Sequence, residues 1–118
     1  MKAIQVRAYG GPEVLELSEV PTPSPGPGQA LVAIKAIGVN PVDVYLHTGA
    51  YTRKIALPYT PGSDAAGIIE SVAAGVPFQP GDRVYINGTG VYAEKAVVDA
   101  GRVFALPAAL SFEQGAAI

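Results

Sequence analysis

The punctuation of this chain predicts a mainly β fold, a small barrel or sandwich interrupted by short helices. Three observations carry the expectation. Short runs of β-branched and apolar residues recur at close spacing, proline and glycine separate them, and only two stretches bear helix-start signals. Lys2 to Ala8 opens the series, with Ile4, Val6 and Ala8 alternating against Gln5 and Arg7. Ala30 to Ile37 is longer and mostly apolar; Ala66 to Val72, Arg83 to Asn87, Val91 to Val98 and Arg102 to Leu106 follow. "PTPSPGPGQ", Pro21 to Gln29, reads as a surface connection, because its prolines lack amide donors and hold φ fixed. "FQPGDRV" places Pro80-Gly81 at the centre of a type II turn that leads into a strand.

The two helical signals are local and explicit. In "NPVDVYLHTG", Asn40 is a good N-cap, Pro41 suits the first helical position, Asp43 falls three residues after the cap, and Gly49 can end the turn. In "LSFEQGAAI", Ser111 and Gln114 form a capping box. The helix that begins near residue 112 stops at Ile118, short of the roughly 12 residues an isolated helix needs, so the chain is expected to be part of a longer protein.

Composition removes several function classes. With 49% hydrophobic and 15% charged residues over 118 positions, the chain is expected to fold as one domain with a real core. Net charge is −2, and the eight cations are scattered apart from Arg53-Lys54, which argues against a nucleic-acid or polybasic membrane surface. There is no cysteine, so disulfides, thiolate nucleophiles and cysteine-based zinc sites are excluded, and His47 is the only histidine. "MKAIQVRAYGG" reads as a first strand, and no apolar run approaches the ~18 residues of a membrane span; an intracellular soluble protein is the expectation.

Three constellations are candidates for chemistry. "NGTGVYA", Asn87 to Ala93, matches G-x-G-x-x-A, but β-branched, glycine-broken sequence follows it instead of a helix. Asn87-Gly88 is therefore read as a hairpin turn. His47, Asp43 and Asp64 could in principle hold a metal, yet Asp43 and His47 lie four apart on one helix face, where an exposed carboxylate-imidazole pair accounts for them without one. Tyr45 lies about 200° around that helix from both and looks the other way. The third group is Tyr45 and Tyr51 with Asn40 and "PYTPGSD", Pro58 to Asp64. Its tyrosines either pack the core edge with hydroxyls in water, or wall a flat pocket whose hydroxyls donate to a carbonyl.

Taken in order, "GGPEVLEL", "KAIGVNPVDVYLHTGAY", "LPYTPGSDAAGIIESV", "PGDRVY", "GVYAEKAVV" and "LPAALSFEQGAAI" resemble the N-terminal, GroES-like half of medium-chain dehydrogenases/reductases. The subgroup they resemble is the zinc-free, zeta-crystallin-like quinone oxidoreductases. The resemblance implies a GroES-like, partly open β-barrel over residues 1–118, the substrate-side domain, cut in the helix that begins near 112, with the Rossmann domain absent from this chain. Where zinc-dependent relatives carry a cysteine and a histidine ligand, this chain has Asn40 and Ser63, so the resemblance implies no catalytic zinc. It implies transfer of reducing equivalents from NADPH to a quinone without flavin, NADPH being held mostly by the missing domain. Asn40 and Tyr45 match positions beside the nicotinamide; Tyr45 and Tyr51 match the substrate-side tyrosines. A cytoplasmic, homo-oligomeric parent that binds neither nucleic acid nor membrane is implied as well, and the isolated chain is expected to be inactive. An enoyl or alkenal reductase, or a free-standing GroES-like structural or interaction module, are the alternatives.

Overall fold

The computed structural model describes residues 1–49 and 56–118 of the chain. Its strands are β1 (Lys2–Gln5), β2 (Glu16–Glu19), β3 (Gln29–Gly38), β4 (Asp64–Val72), β5 (Arg83–Asn87), β6 (Lys95–Asp99) and β7 (Val103–Ala105). Two helices, α1 (Pro41–Thr48) and α2 (Phe112–Ala116), complete the regular structure. Five strands form one antiparallel sheet in the order β6-β3-β4-β5-β7, and β1 pairs with β2 in a separate two-stranded sheet. Among the described residues the ladder stays open between β6 and β7, so the mainly β, partly open architecture expected from the sequence is what forms.

Alternation along the central strands separates two packed faces. Ala30, Val32, Ala65, Ile69, Val84, Ile86 and Val98 bury one face, joined by Val91 and Val103. On the other, Ala66 meets Leu106 and Ala116 beneath α2, with Tyr85 and Phe112 at its margin. Gly67 is required where β4 crosses β3: a Cβ there would overlap the backbone carbonyl of Ala33, beside the register shift between Ile34 and Ala36.

The local signals hold. Gln79 O accepts from Asp82 N across Pro80-Gly81, and Gly81 has φ +95°, as a type II turn demands. Ser111 Oγ accepts from Gln114 N at 3.1 Å, and Gln114 Oε1 accepts from Ser111 N at 2.8 Å. The reading of Asn87-Gly88 as a hairpin is corrected, because the strands on either side do not pair with each other: β5 pairs with β4 and β7, β6 with β3. The segment is a crossover loop. Val91 to Glu94 leaves the ladder to run beside β1, where Ala3 bridges Ala93 and Ile4 N donates to Tyr92 O. That excursion shortens the expected strand to Lys95–Asp99.

One row of this register positions the site. Gly38 at the end of β3 faces Asp64 at the start of β4, and Asp64 in turn faces Asn87 at the end of β5. Two residues beyond Gly38 the chain turns into α1.

Candidate functional site

Helix α1 begins where the sequence says it should. Asn40 is its N-cap in extended conformation, Pro41 occupies the first turn, and Gly49 closes the helix with φ +76°. Asp43 bends back so that Oδ2 accepts from Asn40 N at 2.9 Å. The same oxygen accepts from the phenol of Tyr92, also at 2.9 Å, across 49 residues of sequence. Helix start and crossover loop are thus tied through one carboxylate.

Asp43 and His47 are not the exposed pair expected. Each is only 4% exposed, and each has a partner other than its neighbour on the helix. His47 Nδ1 lies 3.0 Å from Gly10 O, while His47 O accepts from Gly10 N at 2.8 Å. The N-terminal segment lies over the helix end and shields the imidazole, a contact that helical spacing cannot anticipate. Among the described residues no group of three or more histidine, aspartate or glutamate side chains converges as a metal cluster would, so Asp43, His47 and Asp64 do not form one.

Tyr45 projects from the opposite side of α1 and is 50% exposed. Its phenol is available to a ligand, as the angular argument anticipated. Tyr51, with Arg53 and Lys54, lies outside the described residues. Asn40 is half-buried, and its Nδ2 donates to Asp64 Oδ2 at 2.7 Å. Asp64 Oδ1 accepts from Asn87 Nδ2 at 3.1 Å, and Asn87 Oδ1 accepts from the Arg102 guanidinium at 3.0 Å. The carboxylate of Asp64 is therefore held by two amides, with the cation one side chain further away.

Behind α1 a cavity of ≈ 250 Å³ is lined by Val42, Asp43, Leu46, Tyr59, Ser63 and Thr89, among others. Tyr59 Oη is buried and has no hydrogen-bond partner among the described residues. Burial, then Tyr9 and then Asp43, holds this phenol protonated above the ordinary tyrosine range. Tyr92 is pushed further in the same direction, first by burial, then by its bond to Asp43 and by that carboxylate's charge. Both are neutral donors at physiological pH.

Sequence reading missed Tyr92, Asn87 and Arg102. The first two lie in the "NGTGVYA" loop, whose density of glycine and polar groups was visible but whose partners were not.

Residues 26–108 match the alcohol dehydrogenase GroES-like domain. The chain belongs to that family. The rat quinone oxidoreductase is 53% identical over 122 residues, which take in the whole of this chain but 37% of the relative. The quinone oxidoreductase of Escherichia coli, solved in complex with NADPH, superposes with TM-score 0.94 at 38% identity, over 99% of this chain and 36% of that one. A human synaptic vesicle membrane protein VAT-1 homolog-like protein superposes with TM-score 0.97 at 28% identity, over 100% of this chain and 39% of its own. This GroES-like domain thus spans little more than a third of the relatives it matches, and the resemblance to the N-terminal domain of quinone oxidoreductases is borne out.

Proposed function

We propose that this chain is the substrate-side domain of a zinc-independent NADPH:quinone oxidoreductase, with Asn40 and Tyr45 beside the nicotinamide and with Tyr45 and Tyr51 facing the quinone. The observation that carries the reading is the division of labour on α1. One face is buried and locked by Asp43 and His47, while Asn40 at its start and Tyr45 on its open face are left to act. A helix anchored this firmly supports site residues with little reorganisation.

The donor set argues against zinc. Asn40 turns its amide nitrogen, a donor, toward Asp64, and both Asp64 oxygens are already engaged by amides. It does suit the carboxamide of a nicotinamide, since Asn40 Nδ2 uses one of its two hydrogens within the described residues and keeps the other to donate to a carbonyl oxygen. NADPH, when bound, supplies the reducing equivalents. The chain's own part is to orient the ring through Asn40 and to donate from the Tyr45 and Tyr51 phenols to a quinone oxygen that gathers negative charge. A quinone needs less polarisation than an aldehyde, so phenols suffice where a related enzyme would need a metal. The reading includes a Rossmann-type second domain holding most of NADPH, no flavin, and a cytoplasmic, homo-oligomeric parent.

Steady-state kinetics of the full-length protein test it. Tyr45→Phe and Tyr51→Phe are each expected to lower kcat/KM for a quinone by about tenfold, the worth of one hydrogen bond to developing charge. Unchanged quinone kinetics in both would remove the phenols from the mechanism. An acceptor profile favouring conjugated enones over quinones would shift the assignment to an alkenal reductase.

A further inference from the structure

We infer that Asp64 is a positioning residue for Asn40, and that Asn87 and Arg102 complete a hydrogen-bonded line whose polarity decides which atom of Asn40 meets a bound nicotinamide. The inference rests on the role proposed above for Asn40 and extends it.

The line is a consequence of sheet register. Pairing of Asp64 with both Gly38 and Asn87 places one carboxylate between two asparagines that are 47 residues apart by number, Asn40 and Asn87. A carboxamide by itself has no preferred orientation, because its oxygen and nitrogen ends are nearly the same size. Here each orientation is dictated. A guanidinium only donates, so Asn87 turns its Oδ1 to Arg102 and its Nδ2 to Asp64. A carboxylate only accepts, so Asn40 also turns Nδ2 to Asp64. The bond to Asn40, at 2.7 Å, is the shortest of the three and charge-assisted. With Nδ2 turned to Asp64 and the side-chain oxygen turned to the Asp43 backbone N–H in the capping box, the second hydrogen on Nδ2 is what Asn40 offers a ligand, and a carbonyl oxygen is the group it recognises.

The line makes an unusual demand that can be checked. If its polarity matters, exchanging the two central residues should preserve it. In the Asp64→Asn, Asn87→Asp double variant, the new amide at 64 accepts from Asn40 and donates to the new carboxylate at 87, which accepts from Arg102. Every donor still meets an acceptor. A role for Asp64 as a bare negative charge near the site predicts no such rescue.

The test uses the full-length protein, with the dissociation constant of NADPH read from nicotinamide fluorescence and folding checked by circular dichroism. Asn40→Ala is expected to weaken NADPH binding. Asp64→Ala is expected to weaken it by about tenfold, and the Asn40→Ala, Asp64→Ala pair no more than Asn40→Ala alone, because Asp64 acts through Asn40. The exchanged variant is expected to bind within about twofold of the parent. If Asn40→Ala weakens binding while Asp64→Ala does not, or if the Asp64→Ala loss persists in full on top of Asn40→Ala, the positioning role is overturned and the proposed function stands. If Asn40→Ala itself binds as the parent does, the role given to Asn40 fails and this inference falls with it. Should Asp64→Ala not fold, the exchanged variant decides: a folded protein that binds about tenfold more weakly overturns the inference.

Discussion

Alanine at Gly62 would have to meet two separate demands, and a second glycine lets them be told apart. Gly62 has φ +102°, where an L side chain is strained by about 1–2 kcal/mol. Gly75 makes the same backbone demand with φ +86°, but a Cβ there would meet nothing within 4 Å. At Gly62 a Cβ would overlap the Tyr92 ring, with Cε1 at 2.7 Å, and would lie 2.7 Å from Val91 Cγ2. Val91 is fully buried and has nowhere to go, so the Tyr92 ring has to retreat. Its phenol sits 2.9 Å from Asp43 Oδ2, and that bond is then lost. Overpacking of this kind costs about 1–3 kcal/mol, and a hydrogen bond to a charged group about 1.5–3. We therefore expect Gly75→Ala to lower stability by about 1–2 kcal/mol and Gly62→Ala by about 3–5, allowing for partial relaxation of the ring. Urea titration followed by circular dichroism measures both. Adding Tyr92→Ala removes the ring and its bond to Asp43 while leaving the Val91 contact, so the losses from Gly62→Ala and Tyr92→Ala should fall short of additivity by at least about 1.5 kcal/mol. Equal losses for Gly62→Ala and Gly75→Ala, within about 0.5 kcal/mol, would refute the account of how the crossover loop holds α1.

Two further predictions concern protonation and packing. The phenols of Tyr92 and Tyr59 stay protonated in the fold above the ordinary tyrosine value of 10.0, so past that pH the unfolded chain releases protons the folded chain retains and stability falls; below it their contribution is complete. In Tyr92→Phe the alkaline fall should be shallower in a pH series of urea midpoints. Gly67→Ala, driven against the Ala33 carbonyl, is expected to lose about 3 kcal/mol or more, while Gly101→Ala, with nothing within 4 Å and no positive φ, should stay within about 1 kcal/mol of the parent in the same titration.

How legible the site was depended on how far apart its partners lie. The bond from Asn40 N to Asp43 spans three residues, as does the pairing of Ser111 with Gln114, and both were readable from cap chemistry alone. The burial of Asp43 was not, because it comes from Tyr92 on the crossover loop. The same four-residue spacing that places Asp43 and His47 on one face says nothing about whether that face meets solvent or the N-terminal segment. Asn87-Gly88 shows the limit in another form: its composition suits a hairpin, but the choice of β3 as partner for β6 belongs to the sheet as a whole. The strand β2 escaped notice because "ELSE" is short and ends in carboxylates.

By itself the sequence determined the strand-rich class, the caps of both helices, the turn at Pro80-Gly81, the lack of thiol chemistry, and a resemblance specific enough to place the family. These properties are written in residue type and in spacings of a few positions, where backbone sterics and local hydrogen bonds decide. Tertiary structure alone decided that Asp43 and His47 are buried anchors and that Asp64 stands between Asn40 and Asn87. Those outcomes depend on which strands pair and in what register, and a carboxylate takes its role from the donors that distant strands bring to it.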